Sequence, residues 1–449
     1  MRCPFLDRIN ELRAIDRAYE GRPNFVVVYG RRRVGKTRLL REWISRRGVR
    51  SVYYLAQLTS HERNLSLMAE AAYEQLGEEV LRGLRVGRLT DLLNLLSRLG
   101  ADVIVVDEFT YWVRAYEGVL SELQEYIDLY MEKYNVLLVI SGSLVGLMEE
   151  QVLGGGSPLY ARAASRLKLD PLTFSYLREV LPGWDAIDRV RLYSIIGGIP
   201  FYYCLVQGAG SLREAVKRLI LNVDSPLMAE KDLLLREHFR ELQAYNAVLS
   251  ALARGYNTPG KIADATGLEA GYANKILHTL EALGFVERIK PLHGKRGFYR
   301  VKDPILRTWY NLVEPILSLI EIGLTQEAEK RIFERLDLHT AETWEELVKM
   351  HLYKQYAPKG YRLTGPAIRG REEIDVILLD ETGRRAIIAE AKWSETTPDE
   401  IERIRRRTLR KASLVLPQDI EIEKIYIAVK KVKGTPPEDT ITPQQIEEG

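Results

Sequence analysis

Gly30, Gly35, Lys36 and Thr37 hold the fixed positions of G-x-x-x-x-G-K-[ST] in the run G-R-R-R-V-G-K-T. The preceding run, N-F-V-V-V-Y at 24–29, is short and apolar and reads as a buried strand. A helical pattern follows from Lys36 to about Arg47. Strand, glycine-rich turn and helix in that order let backbone N–H groups curl around phosphate oxygens. The helix N-terminus adds a partial positive charge. Lys36 would reach the β- and γ-phosphates of ATP, and the Thr37 hydroxyl would bind Mg²⁺. Gly30, Arg31, Arg32, Arg33, Val34, Gly35, Lys36, Thr37 and Arg38 are thus expected around the phosphates.

A second apolar run, V-I-V-V-D-E, ends at Asp107 and Glu108. A carboxylate closing a buried strand is expensive unless it meets a cation. Asp107 would hold the Mg²⁺ through water, and Glu108 would polarise the attacking water. A third run, N-V-L-L-V-I-S at 135–141, ends in Ser141-Gly142-Ser143. Ser143, preferred over Ser141, would sense the γ-phosphate.

A third constellation lies near the C-terminus. Asp375 stands in E-I-D-V-I-L-L, and Glu390 and Lys392 stand in I-I-A-E-A-K-W. A hairpin across Thr382-Gly383 puts Asp375 opposite Glu390, with side chains about 5 Å apart. Glu390 and Lys392 share a strand face because side chains alternate. Two adjacent carboxylates repel, which invites a divalent ion, Mg²⁺ or Mn²⁺. Lys392 would then orient or deprotonate a metal-bound water.

These groups need elements to position them. The chain has 449 residues, too many for one compact domain of at most about 250. Hydrophobic residues make up 46% and charged residues 28%, which excludes wholesale disorder. No apolar run approaches the roughly 18 residues of a membrane span, and charged residues interrupt the N-terminus, against a signal peptide. Two cysteines, Cys3 and Cys204, cannot build a disulfide framework or a zinc cluster. A cytoplasmic protein without membrane partners is expected. The net charge of +3 excludes a histone-like polycation and leaves room for local basic patches. Strands alternating with helices through the first third imply a parallel sheet covered on both faces.

Residues 245–253, 258–267 and 269–283 carry three helix patterns. F-V-E-R-I-K-P (285–291) and F-Y-R-V-K-D (298–303) flank H-G-K-R-G, a hairpin with a basic tip. The set resembles a winged helix-turn-helix. That resemblance implies a third helix in the major groove of double-stranded DNA and a wing on phosphate or the minor groove. Tyr272, Asn274, Lys275 and His278 on the helix, with Lys295 and Arg296 on the wing, are the candidate contacts. A winged helix that binds protein remains the alternative.

The N-terminal F-L-D-R-I-N-E-L, the Y-G-R-R-R-V-G-K-T loop, the D-E pair and G-G-I-P at 197–200 resemble the archaeal branch of the STAND/AAA+ P-loop ATPases. The resemblance covers roughly residues 1–235. It implies that Phe5 and Arg8 lie near the adenine and that Pro200, in a helical lid, packs on the base or reports nucleotide state. It also implies an arginine at the γ-phosphate, Arg162 or Arg166, in cis or from a neighbouring subunit. The C-terminal D…E-A-K resembles the PD-(D/E)xK nucleases. By that likeness Glu345 or Glu346, in T-W-E-E-L-V, adds a further acid, and Glu346 is the one assigned to the metal.

The expected fold class is α/β: a P-loop AAA+-type parallel sheet core (1–173), a helical lid (174–238), a winged helix-turn-helix (239–308), a restriction-endonuclease-like α/β domain (309–435) and a flexible tail (436–449). The expected activity is Mg²⁺-dependent ATP hydrolysis as a switch, coupled to DNA binding and to a metal-dependent nuclease site. The alternatives are a non-cleaving ATP-gated DNA-binding regulator and a signalling or scaffold ATPase. A homo-oligomer or protein partner fits either.

Overall fold

A computed structural model describes residues 5, 8–293, 297–370 and 372–448. The chain divides into two compact units. The first comprises residues 1–171 with Ile199–Phe201, and the second the remainder.

The first unit is built on five parallel strands: β1 (Asn24–Tyr29), β2 (Ser51–Leu55), β3 (Val103–Asp107), β4 (Leu137–Gly142) and β5 (Ser165–Lys168). Their order is β2-β3-β4-β1-β5. Every residue of β3 and β4 is buried, because helices cover both faces of the sheet. Alternation divides β1 between two cores: Phe25 and Val27 face one, Val26 and Val28 the other. The chain enters the helix Lys36–Arg47 from the C-terminal end of β1. The loops after β1, β3 and β4 thus gather at one edge of the sheet, where open α/β folds bind ligands.

In the second unit, helices include Ala186–Ile196, Pro226–Arg236, Gln243–Ala253, Pro259–Thr266 and Ala270–Ala282. The last three precede an antiparallel pair, β6 (Val286–Ile289) and β7 (Phe298–Val301). Ala273, Ile276, Leu277 and Leu280 of the third helix are buried at helical spacing. A 32-residue helix, Thr325–Tyr356, leads into the C-terminal sheet.

That sheet is mixed. Its strands are β8 (Tyr361–Leu363), β11 (Val376–Asp380), β12 (Arg385–Thr396), β13 (Glu421–Val432) and β14 (Thr440–Ile441), in the order β14-β13-β12-β11-β8. A separate antiparallel pair joins β9 (Ala367–Arg369) to β10 (Glu372–Ile374). The helix Pro398–Val415 connects the parallel neighbours β12 and β13, opening with a Thr397–Glu400 capping box.

Residues 436–449, expected to be a flexible tail, are instead structured through Glu448. Strand β14 pairs with the edge of β13, and the helix Pro443–Glu448 follows. Ile446 is buried, and the Arg189 guanidinium forks onto Glu447 at 2.5 and 2.7 Å. An uncovered strand edge and an unpaired buried arginine would both be unfavourable, and this segment removes both.

Candidate functional site

The loop after β1 needs two residues without side chains. A Cβ at Gly30 would overlap the Leu169 carbonyl oxygen, and Gly35 has φ +101°. Val34 between them is fully buried and anchors the loop in the core. The Lys36 ammonium donates to the Gly30 carbonyl at 3.0 Å and lies 3.8 Å from Glu108. Thr37 donates to Asp107 Oδ2 at 2.6 Å.

Asp107 is wholly buried, yet each of its carboxylate oxygens has two donors. Oδ2 accepts from the hydroxyls of Thr37 and Tyr53, and Oδ1 from the Ser141 hydroxyl and the Glu108 N–H. Burial and the neighbouring Asp107 charge push the Tyr53 phenol well above its ordinary range, so it stays a donor. Glu108 has the left-handed conformation, φ 51°. Its carboxylate accepts from both the N–H (3.1 Å) and the hydroxyl (2.7 Å) of Ser143. Each serine at the end of β4 therefore serves a different carboxylate.

Tyr53 and Ser141 were not singled out for Asp107 by the sequence reasoning. The available signal was slight: a tyrosine in the run S-V-Y-Y-L, paired in register with Val105 two residues before Asp107.

Thr37 and Asp107 present hard oxygens side by side, a donor set that fits Mg²⁺. Around them the flanking residues take specific places. Arg8 is buried and donates to the carbonyls of Val34 (3.2 Å) and Asp170 (2.7 Å), so it braces the loop. Arg46 lies over the Phe5 ring at 5.3 Å. Arg33 lies over Phe201, the residue after Pro200, at 4.2 Å. Arg162, assigned to the γ-phosphate, has its fork filled instead by Asp128, with two bonds of 2.8 Å. Arg166 is exposed on β5, 6.0 Å from the Tyr160 ring.

The second unit carries its own acidic centre. Val376 pairs with Ala389 and Ile377 with Ile388, a register that continues to Asp375 opposite Glu390. Asp375 Oδ2 accepts from the Ala391 N–H at 2.9 Å. Glu390 is 2% exposed, and its Oε1 accepts from two ammonium groups, Lys392 at 2.9 Å and Lys411 at 2.8 Å. Glu390 Oε2 is buried without a hydrogen-bond partner. Burial, then the Glu390 charge, raises the Asp375 carboxyl to about 6. Burial opposes the Lys392 charge, but Glu390 and Asp375 outweigh it and hold the ammonium above its ordinary range.

Glu346, assigned to a metal at this centre, pairs instead with Arg300 (3.1 Å) and Arg307 (3.5 Å). Successive helical residues point about 100° apart, and it is Glu345, 3.7 Å from Lys349, that is close enough to Asp375 to feel its charge. Burial, with Asp375 and Glu373 adding to it, raises Glu345 to about 7 against the pull of Lys349 and Arg300. Among the described residues no group of three or more His, Cys, Asp or Glu is placed to hold a metal ion. As placed, the donors at Glu390 do not fit a divalent ion, because two lysines occupy Oε1.

On the third helix of the winged-helix segment, Tyr272, Lys275 and His278 are exposed and Asn274 is half-buried. His278 lies 3.6 Å from Glu281. Lys295 and Arg296 fall outside the described residues. No helix among the described residues is long and apolar enough to cross a membrane.

Residues 5–206 match the model of an ATPase domain predominantly from Archaea, and residues 309–404 match a family described as archaeal and bacterial proteins of unknown function. An uncharacterized protein of Methanocaldococcus jannaschii, MJECL04, is 30% identical over 444 residues, covering 95% of each chain. The chain belongs to this archaeal ATPase family. Among solved structures, the Walker-type ATPase paby2304 of Pyrococcus abyssi aligns with TM-score 0.52 and 21% identity, over 68% of this chain and 96% of that one. The likeness establishes the P-loop fold for the ATPase, and the enzyme hydrolyses ATP by membership of its family.

Proposed function

We propose that the ATPase is a nucleotide-driven switch that acts on double-stranded DNA through its winged helix. The observation that supports a switch is the pair of hydrogen bonds that Ser143 donates to Glu108. Ser143 holds Glu108 by Oε2 alone, so a Ser143 that turns to the γ-phosphate would free the carboxylate to swing toward the attacking water. The catalytic carboxylate and the end of β4 would then move together with nucleotide state. Lys36 would exchange the Gly30 carbonyl for the β- and γ-phosphates. Thr37 and Asp107 would hold Mg²⁺, which when bound neutralises phosphate charge. Phe5 and Pro200 would border the base, and Arg8 would shape the loop from behind.

DNA is the partner favoured by the third helix, whose buried face packs inward while Tyr272, Lys275 and His278 face solvent. The test is duplex affinity with ADP, with a non-hydrolysable ATP analogue and without nucleotide. A difference of at least about fivefold is expected, lost in Lys36→Ala. Equal affinities in all three states would sink the switch. No retention even at low salt would favour a protein-binding winged helix.

A second reading, phosphodiester cleavage at Asp375, Glu390 and Lys392, would need Lys411 to release Glu390 before an ion could enter; the unpartnered Oε2 of Glu390 is the observation on its side. It requires Mg²⁺- or Mn²⁺-dependent cleavage that Asp375→Ala removes. Intact DNA under ATP turnover leaves the non-cleaving regulator.

A further inference from the structure

We propose that the solvent-facing arginines of the helix Pro398–Val415 form a docking ridge for the phosphate backbone of double-stranded DNA, laid beside the Asp375–Glu390 centre. The partner class rests on the DNA reading above, but the residues are separate from the winged helix.

Between Arg403 and Lys411 the sequence R-I-R-R-R-T-L-R-K holds six basic residues and no acid. The helix turns Ile401, Thr408, Ala412 and Val415 inward. At 100° per residue, Arg403, Arg406, Arg407 and Arg410 fall on the opposite arc, and all four are exposed. From Arg403 to Arg410 the ridge runs about 10 Å, the rise of about three phosphates along one strand. Guanidinium forks suit phosphate oxygens better than lysine ammonium groups do.

Of the four arginines, Arg403 has a carboxylate beside it, Glu400 at 3.7 Å. Arg405, turned toward the sheet, donates to the carbonyls of Ile425 and Glu438. Arg406, Arg407 and Arg410 have no carboxylate partner among the described residues. Arg407 is near enough to Lys392 to oppose its charge. Like charges held this close repel one another, and a polyanion would relieve that repulsion.

The neighbouring centre is prepared for the same partner. Lys411, at the end of the ridge, donates to Glu390 at 2.8 Å and to the Glu373 carbonyl at 3.2 Å. Together with Lys392 it cancels a carboxylate charge that would push phosphate away. A bilayer would call for an apolar row beside the basic one. Here Ile401, Ala412 and Val415 are buried, and the two exposed leucines, Leu409 and Leu414, lie about 140° apart around the helix and form no row.

The experiment uses the full chain and a labelled duplex of about two helical turns. The variant combines Arg406→Ala, Arg407→Ala and Arg410→Ala; a second carries Tyr272→Ala and Lys275→Ala. The ridge variant should lose at least about tenfold in affinity at low salt. Its log–log salt slope should fall by about 2 to 3, near 0.9 per phosphate contact. Unchanged ATP turnover and thermal midpoint would show that the fold is intact. Wild-type affinity and slope in the ridge variant would overturn the proposal while leaving the winged-helix reading standing. Loss in the ridge variant alone would support the ridge and remove the winged helix as the DNA contact. No duplex binding by the wild type would overturn both readings. Ridge-dependent binding to phosphatidylserine vesicles, with none to duplex, would replace DNA by a membrane surface.

Discussion

The two acidic centres of this ATPase solve the same problem in opposite ways. Asp107 and Glu390 are both buried carboxylates at strand positions. Asp107 is satisfied by three hydroxyls and a backbone N–H, all neutral donors. Glu390 is charge-compensated through Oε1 by two ammonium groups. Neutral donors remove the desolvation penalty without cancelling the charge, so the carboxylate still attracts a cation. Ammonium donors remove both. The first centre is thereby poised for Mg²⁺ and the second is charge-compensated as it stands.

The largest effect expected from breaking this contrast is at the first centre. Lys36→Ala should lower ATP turnover at least about a hundredfold, since one charge-stabilising donor is worth that much. Phosphate release at saturating ATP measures it, and turnover within tenfold of wild type would remove Lys36 from the chemistry.

The second centre should respond in stability. Lys411→Met leaves Glu390 with Lys392 alone and should cost about 1–3 kcal/mol in urea unfolding, less than a fully broken buried pair. The same variant should gain Mn²⁺ affinity, because it uncovers charge on a carboxylate whose Oε2 already lacks a partner. Calorimetry showing equal Mn²⁺ binding before and after would mean that the lysines do not exclude the ion.

Much of the first centre could be read in advance because its determinants are local. A buried parallel strand is a continuous apolar run, and the phosphate loop is contiguous. The second centre depends on distant chain. Lys411 reaches Glu390 from 21 residues away, on a helix whose rotation no motif reveals. The choice between Glu345 and Glu346 turns on 100° of helix rotation. Tyr53 resembles any core tyrosine until its strand is set beside β3. The strands β8, β9 and β14 are two or three residues long, too short for a period to show.

The pH dependence separates the centres further. The Glu345 carboxyl is raised to about 7 from an ordinary 4.5, first by burial. The folded state therefore holds a proton there that the unfolded state has already lost. Between about pH 4.5 and 7 this makes stability fall as pH rises. Glu345→Gln should be neutral below pH 4.5 and should stabilise above pH 7 by about 1 kcal/mol, allowing for solvent screening. Urea midpoints at pH 4 and pH 8 give the difference. A gain at pH 4 equal to that at pH 8 would mean that the effect is packing, not charge.

Tyr53→Phe should have the smallest effect and the most specific one. It removes one of the two hydroxyls on Asp107 Oδ2 and leaves the ring under Arg41, 4.7 Å away. Thr37 still donates to that oxygen, so Asp107 stays solvated and the fold should lose only about 1 kcal/mol. Freed of one donor, Oδ2 accepts Mg²⁺ more readily but is less firmly oriented. The Mg²⁺ concentration for half-maximal turnover should therefore fall while kcat drops about threefold. A purely structural tyrosine would change the melting temperature and leave the Mg²⁺ dependence as it was. The split between kcat and Mg²⁺ requirement thus decides whether the neutral donors around Asp107 tune its charge or merely fill space beside it.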